Sequence, residues 1–285
     1  MKDWLLAARP KTLSASIVPV LVGTALAPHP PHWGIFACAL FGALFIQIGT
    51  NLVNDAIDFR KGADTHERLG PVRVTQAGLL SAERVLLAAY VCFGLAALCG
   101  IPLILRGGWP LLAIGVASIA AAYTYTGGPY PLAYNGLGEL FVMIFFGMVA
   151  VCGSYYVQTL KIDRAAGVAG IAAGSLATVL LVINNLRDVP TDTRSHKRTM
   201  AVRFGERFAR GEVVFFALVP FVAVAFIAVL RGNNSLLLPL VALPLALAVI
   251  ACAFQNSGAT LNRCLAMGGA LQWAFGILFV IGTLI

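Results

Sequence analysis

Long apolar runs alternate with short polar or glycine- and proline-rich breaks along the whole chain. Many of these runs approach the ~20 residues that an α-helix needs to cross the hydrocarbon core of a bilayer. The pattern predicts an all-α, polytopic membrane protein, and residues 1–285 have the length of a single transmembrane domain. The nine predicted helices are Leu13–Ala27, Trp33 to the polar stretch at Asn51, Arg84–Leu105, Leu111–Thr126, Leu137–Leu160, Ala165 to the polar stretch at Asn184, Val213–Leu230, Leu236–Phe254 and Leu265–Ile285.

Composition agrees with this pattern, because 59% of the residues are hydrophobic and only 11% are charged. A soluble domain carries about 25% charged residues. The net charge of +8 is compatible with a nucleic-acid partner, but the cations lie in short loops between apolar runs. That distribution is typical of membrane topology, so we expect no nucleic acid. None of the six cysteines forms a CxxC pair, and we expect small buried side chains without a disulfide.

The cations also predict an orientation. With nine helices, the loops on the N-terminal side of the membrane hold 16 of the 20 Lys and Arg residues. Cytoplasmic loops carry such an excess, so we expect the N-terminus and both polar stretches on the cytoplasmic side of a bacterial inner membrane. Helices one to four and five to eight each place an Asn/Asp cluster at the end of their second helix. The chain therefore divides into two four-helix halves and one last helix, and internal repeats often form a site at their interface.

The two polar clusters carry the candidate chemistry. They hold five of the twelve carboxylates, namely Asp55, Asp58, Asp64, Asp188 and Asp192. Ionisable groups at the edge of a membrane core indicate function. Spacings of three and four residues put neighbouring members on one helix face, and Pro190 predicts that the second helix ends nearby. Facing carboxylates repel one another, and Mg²⁺ relieves this repulsion while bridging carboxylates to phosphates. We therefore predict that all five bind Mg²⁺.

Basic loops follow both clusters and suit a diphosphate. Lys61, Arg73, Lys197 and Arg198 are the cations that we expect to bind it, together with Asn184. Cations and Mg²⁺ stabilise the charge that develops on a departing phosphate group. The other loop cations are compatible with a role in topology alone.

The motif Asn54-Asp55-x-x-Asp58 with Asp64, paired with Asp188-x-x-x-Asp192, resembles the UbiA superfamily of intramembrane prenyltransferases. The stretches Arg9-Pro-Lys-Thr-Leu13, 68–80, 125–134 and Lys197-Arg-Thr199 are similar to its 1,4-dihydroxy-2-naphthoate branch, which serves menaquinone synthesis. The resemblance implies a Mg²⁺-dependent transfer of a polyprenyl group from polyprenyl diphosphate to 1,4-dihydroxy-2-naphthoate. Carbon dioxide is lost and demethylmenaquinol is formed.

The resemblance also implies roles for individual residues. The catalytic set is Asp55, Asp58, Asp188, Asp192, Asn51 and Tyr125. Tyr123, Tyr130 and Tyr134 lie near Tyr125 in the sequence, and aromatic faces stabilise an allylic cation. Arg9 and Lys11 are the candidates that bind the carboxylate of the acceptor. Glu139 suits either a helix N-terminus or the site.

Two alternatives remain at this point. A UbiA-type enzyme could use hydroxybenzoate, homogentisate or haem, but hydroxybenzoate-type members carry a lysine shortly after the Tyr-Pro pair, and no lysine follows Tyr130-Pro131 here. A secondary transporter also has repeated halves and buried acids. Its acids lie near the bilayer midplane, whereas these lie at predicted helix ends beside basic loops.

Overall fold

The computed structural model describes residues 2–28, 30–63 and 69–285. Its α-helices are Lys2–Ala8 (α1), Ser14–Ala25 (α2), Trp33–Arg60 (α3), Ala82–Gly107 (α4), Trp109–Thr124 (α5), Gly138–Val142 (α6), Ala150–Thr159 (α7), Arg164–Arg194 (α8), Met200–Phe204 (α9), Glu206–Arg231 (α10), Leu243–Gln255 (α11) and Leu261–Leu284 (α12). A π-helical turn, Met143–Val149, joins α6 to α7. Short 3-10 helices precede α2, α6, α11 and α12. The described residues contain no β-strand.

Within the described residues, seven helical stretches are long and apolar enough to cross a membrane. They are α3, α4, the stretch from α6 to α7, α8, α10, and α11 and α12 with their preceding turns. An eighth candidate is the bent pair Lys2–Thr12 and Ser14–Ala25, whose axes differ by 53°. The predicted all-α, multi-pass membrane fold is thereby confirmed. The count of nine spans stays a prediction, because α5 has only 16 residues.

Helix α8 lies at the centre of the bundle and packs against α2, α10, α12 and the π turn. Of its most apolar stretch, a share of 78% is buried inside the protein, and the sequence of α8 is rich in alanine and glycine. Small residues let membrane helices approach closely. The contact with the π turn shows how close: a Cβ added at Gly147 would lie 2.5 Å from the carbonyl oxygen of Gly170. The end of α8 that carries the second polar cluster is thus held in the core.

Helices α3 and α4 form a second core, built around Val53, Ala56, Val85 and Ala89. Helix α3 packs on α4 in the first predicted half, and α8 packs on α10 in the second. In both halves the helix that carries the polar cluster therefore has the next long helix as its partner.

Pro190 lies inside α8, which ends close to it, as predicted, but not at the proline itself. The helix continues to Arg194. Side-chain hydroxyls reinforce the last turns: Thr191 donates to the carbonyl of Asp188 at 2.9 Å, and Thr193 donates to that of Val189 at 2.7 Å.

The prediction of free cysteines was wrong for two of the six. Cys252 and Cys264 form a disulfide between α11 and α12. The tight connection between these antiparallel helices brings the two Cα atoms to 5.7 Å, which is within the usual range for a disulfide. The twelve-residue separation gave no sign of this proximity.

Candidate active site

Asp55 holds the described part of the loop that follows α3. Its carboxylate accepts hydrogen bonds from the backbone N–H groups of Val74, at 3.2 Å, and Thr75, at 3.0 Å. The Thr75 hydroxyl also donates to the same carboxylate. Asp55 is 1% exposed, so these hydrogen bonds satisfy both oxygens of a buried carboxylate. Both carboxylate oxygens of Asp55, a predicted metal ligand, therefore accept hydrogen bonds from the loop.

Asp58 lies one turn further along α3 and has two partners from other segments. Its Oδ1 accepts a hydrogen bond from the Tyr134 hydroxyl at 2.8 Å, and its Oδ2 pairs with Arg73 Nη2 at 3.3 Å. Asp58 and Arg73 are both buried. The loop anchored by Asp55 thus delivers Arg73 to Asp58, as the shared helix face of the two aspartates predicts.

Tyr134 is the point at which the two polar clusters meet. Lys61 Nζ lies 4.6 Å from the centroid of its ring and Lys197 Nζ lies 5.7 Å from it, so both loops place a cation near the same aromatic ring. Lys61 donates to the carbonyl of Thr126 at 2.8 Å. Burial lowers the pKa of Lys61, although the nearby Asp58 raises it.

The second cluster brings a carboxylate to the same place. Lys197 Nζ lies 3.7 Å from Asp192 Oδ1, and the backbone N–H of Arg198 donates to the carbonyl of Tyr134 at 3.0 Å. A cavity of about 380 Å³ lies beside this segment, and Lys197, Arg198 and His196 are among its lining residues. Two of the predicted diphosphate-binding cations therefore border one basic cavity.

Asp188 is held by its neighbour in the chain. Arg187 donates to both oxygens of Asp188 at 2.7 Å and to Asn262 Oδ1 at 2.7 Å. Asn262 in turn donates to the carbonyl of Leu69 at 2.9 Å, which ties the second cluster to the first loop. Asn184, one turn before Asp188, is half-buried. The sequence analysis assigned no role to Arg187 or Asn262. In the case of Arg187, an arginine in a basic region resembles a topology marker.

Asn51 fixes the N-terminal segment against α3. Its side-chain amide donates to the carbonyl of Ala8 at 3.0 Å and to the Thr12 hydroxyl at 3.2 Å. Arg9 and Lys11, predicted to bind the acceptor, lie in this segment. Arg9 has a positive φ of 53°, a conformation that is uncommon for a residue other than glycine.

An apolar cavity of about 400 Å³ leads away from the polar cluster. It lies between α2, α3, α4, α5 and the helix from α6 to α7, and Thr50, Ile119, Tyr125, Phe141 and Leu111 are among its lining residues. Burial raises the pKa of the Tyr125 hydroxyl, as do the nearby carboxylates of Glu139, Asp58 and Asp192. Tyr125 is thus common to the apolar cavity and both acidic clusters.

Glu139, at the start of α6, belongs to the same group. It is 8% exposed, and its Oε1 accepts a hydrogen bond from Asn185 at 2.9 Å. Its position beside Tyr125 favours a role in the site over a simple helix-end charge, which the sequence left open. The sequence analysis chose Asn184 rather than Asn185, because Asn184 has the four-residue spacing that places it on the same helix face as Asp188.

The described donors suit a hard cation only in part. Asp58 and Asp192 offer carboxylate oxygens close to Tyr125, and Mg²⁺ prefers oxygen ligands. Asp55 and Asp188 direct both oxygens to their own chain, to the loop and to Arg187. Asp64 lies outside the described residues. Within residues 2–28, 30–63 and 69–285, no three His, Cys, Asp or Glu side chains form a metal site. Asp58 also has a partner on each oxygen, Tyr134 and Arg73, so a cation there would share or displace these contacts. Among the predicted ligands that the structure describes, Asp58 and Asp192 are nevertheless the ones close to Tyr125, and cation binding therefore fits them best.

Comparison with solved structures identifies the fold. A UbiA homolog from Archaeoglobus fulgidus, solved bound to GPP and Mg²⁺, superimposes with a TM-score of 0.71 at 14% identity, covering 99% of this chain and 100% of that one. The apo structure of a UbiA homolog from Aeropyrum pernix gives a TM-score of 0.73 at 13% identity, covering 95% and 97%.

Sequence relatives and a family model agree with the fold. A Mycobacterium tuberculosis protein named 1,4-dihydroxy-2-naphthoate octaprenyltransferase is 40% identical over 247 residues, which are 86% of this chain and 84% of the relative. A Bacillus subtilis protein of the same name is 35% identical, covering 97% and 90%. Residues 16–267 match the model of the UbiA prenyltransferase family. The resemblance seen in the aspartate motifs is therefore confirmed, and the chain belongs to the UbiA prenyltransferase family.

Proposed function

We propose that this enzyme transfers a polyprenyl group from polyprenyl diphosphate to 1,4-dihydroxy-2-naphthoate, with loss of CO₂, giving demethylmenaquinol. One observation carries the proposal: both acidic clusters and a lysine from each basic loop converge on Tyr134, beside an apolar cavity that begins at Tyr125. The names of relatives up to 40% identical support the naphthoate acceptor.

The cavity suits the prenyl chain. Leu111 and Tyr125, at opposite ends of α5, both line it, and a rise of 1.5 Å per residue separates them by ~21 Å. The diphosphate would then lie at the polar end, near Lys61, Lys197 and Arg198. This arrangement places the bond to be broken between a charged pocket and an apolar one.

Mg²⁺ is the cation that we propose for the site, held by Asp58 and Asp192, with Asp64 as a further predicted ligand. When bound, it would neutralise charge on the diphosphate and make it a better leaving group. Asp55 and Asp188 act through their neighbours, because Asp55 holds the loop that carries Arg73 and Asp188 holds Arg187. Arg73 and Asn184 remain proposed contacts of the diphosphate.

The aromatic and N-terminal residues complete the proposed site. The face of Tyr125 stabilises the allylic cation as the diphosphate departs. Arg9 and Lys11 bind the carboxylate of the acceptor, and Asn51 holds the segment that carries them. The whole chain forms one transmembrane domain in a bacterial inner membrane. The excess of cations on one side supports a cytoplasmic N-terminus and a site that opens to the cytoplasm.

The test is a membrane assay with Mg²⁺, a long-chain polyprenyl diphosphate and two competing acceptors, 1,4-dihydroxy-2-naphthoate and 4-hydroxybenzoate. We expect prenylated product from the naphthoate alone, with release of CO₂. Chelation should abolish it, and Asp58→Asn and Asp192→Asn should lower the rate at least ~100-fold.

Asp163→Asn is the matched control. Asp163 caps the opposite end of α8 through the backbone N–H of Ala165, at 2.7 Å, and asparagine caps a helix equally well. This variant should keep wild-type activity. Product from hydroxybenzoate would contradict the acceptor. Folded protein that yields no product from either acceptor would contradict the proposed function.

A further inference from the structure

Glu139 has a buried oxygen without a hydrogen-bonding partner among the described residues. Its Oε1 is held by Asn185 at 2.9 Å, whereas its Oε2 has no such partner in residues 2–28, 30–63 and 69–285. A buried acceptor that stays unsatisfied is destabilising. A carboxylate that one side chain orients, and whose other oxygen is unpartnered, is suited to accept a hydrogen bond from a ligand.

The position of Glu139 indicates which ligand would donate this hydrogen bond. A Cβ at Gly138 would come within 3.2 Å of the Tyr125 hydroxyl, so the start of α6 touches the tyrosine at the mouth of the apolar cavity. Val142, three residues after Glu139 on the same helix face, lines that cavity. Glu139 therefore lies at the junction of the proposed diphosphate and prenyl sites, where the acceptor ring must meet the prenyl carbon.

We propose that Glu139 is the base that takes the proton from the acceptor hydroxyl adjacent to the carboxylate. The inference rests on the proposed function. Loss of this proton to Oε2 pushes electrons into the ring, and the carbon that bears the carboxylate forms the bond to the prenyl carbon as the bond to diphosphate breaks. The resulting β-keto acid loses CO₂. The electron pair left behind restores the aromatic ring, and the oxygen recovers the proton from Glu139.

The charged and titratable groups around Glu139 are compatible with this role. Asn185 of α8 fixes one oxygen, Lys197 lies within electrostatic range of the carboxylate, and Tyr125 lies beside it. Glu212 of α10 is a second carboxylate within that range. Because Glu212 lies on a different helix from Glu139, it is the alternative candidate for the base.

The experiment measures kcat against pH for the wild type, Glu139→Gln and Glu212→Gln. At neutral pH, Glu139→Gln should lower kcat at least ~100-fold, the usual size of general-base catalysis. Its rate should then rise with pH in the alkaline range, because only acceptor that is already ionised in solution reacts. The wild type and Glu212→Gln should lack this alkaline rise. Glu206→Gln, which removes an exposed charge paired with Arg210, controls for the loss of one negative charge.

Two results would overturn the inference. Glu139→Gln could lose activity by the same factor at every pH, which would indicate a structural role, or the alkaline rise could appear in Glu212→Gln instead. A measurement on the wild-type protein tests the proposal even if the Glu139→Gln variant does not fold. The 1-methoxy analogue of the acceptor should inhibit at least ~10-fold more weakly than the 4-methoxy analogue, because an ether cannot donate to Oε2. Equal inhibition would contradict the proposal. Wild-type protein that prenylates no naphthoate would instead contradict the proposed function itself.

Discussion

The substitution Asp55→Asn tests whether this aspartate primarily holds a loop. In the structure its two oxygens accept hydrogen bonds from the backbone N–H groups of Val74 and Thr75. Asparagine keeps the shape but has one oxygen and one NH₂ group. Whichever way the amide is turned, one of the two backbone N–H groups then faces another donor. The change therefore breaks one hydrogen bond and leaves one buried N–H unsatisfied.

The expected magnitude follows from this geometry. A hydrogen bond to a charged group contributes about 1.5–3 kcal/mol, and an unsatisfied buried donor costs about 1–3 kcal/mol. The two effects overlap because they concern the same N–H group, so we expect a loss of about 2–3 kcal/mol in the stability of the loop. At about 1.4 kcal/mol for each factor of ten, this corresponds to a ~30- to 150-fold larger equilibrium constant for local opening of the loop.

Hydrogen exchange measures this opening directly. The readout is amide exchange in a peptide that covers residues 72–78, followed in detergent with EDTA present so that metal binding does not contribute. Glu83→Gln is the control, since it removes a carboxylate at the start of α4 whose side chain is 74% exposed and pairs with Arg60. An exposed ion pair contributes less than ~1 kcal/mol, and the loop should exchange as in the wild type.

An unchanged exchange rate in Asp55→Asn would refute the reasoning. If Asp55 served only as a metal ligand, its replacement would leave the loop unaffected in EDTA and would lower metal affinity alone. The structural role therefore predicts a signal under conditions where the catalytic role predicts none.

Three further predictions concern contacts elsewhere. Tyr134→Phe keeps the aromatic face but removes the hydroxyl bonded to Asp58, and should lower kcat by about 10- to 150-fold, the effect of one lost hydrogen bond to a charged group of ~1.5–3 kcal/mol; an unchanged steady-state rate would contradict it. Asn262→Leu leaves one donor of the buried Arg187 unpaired and should lower the free energy of unfolding by about 1–3 kcal/mol, as measured by chemical denaturation in detergent. Gly147→Ala should lower the melting temperature markedly, because the added Cβ meets a backbone oxygen at 2.5 Å, whereas Gly167→Ala, with its nearest neighbour at 4.0 Å, should not.

The membrane helices could be predicted from the sequence because their signal is local. Runs of apolar residues bounded by glycine, proline and charge gave α4 within two residues at each end, whereas α10 begins at Glu206, seven residues before the predicted start at Val213. The errors arose where a local rule competed with a distant contact. Local spacing gave no pairing for Cys252 and Cys264, yet they form a disulfide because α11 packs against α12.

The candidate site was only partly predictable, for the same reason. Spacing placed Asp55 and Asp58 on one face of α3, and the structure agrees. Spacing could not assign them different tasks, because the difference depends on Thr75 and Tyr134, which reach them from 20 and 76 residues away. Glu139 and Asn185 likewise meet only after α6 packs against α8.

Among the residues that the structure describes, Tyr134 connects the two halves of the protein at the site. Arg73 pairs with Asp58 inside the first half, and Arg187 pairs with Asp188 inside the second. The link between the halves is made instead by Tyr134, whose hydroxyl donates to Asp58 and whose carbonyl accepts from the backbone of Arg198. An ion pair across the gap would have to be broken, at the full cost of exposing two partly buried charges, before a charged substrate could enter. A tyrosine between two lysines imposes no such cost, since its ring already tolerates cations on its face. We therefore propose that a diphosphate binds both lysines without the breaking of an ion pair between the described parts of the two halves.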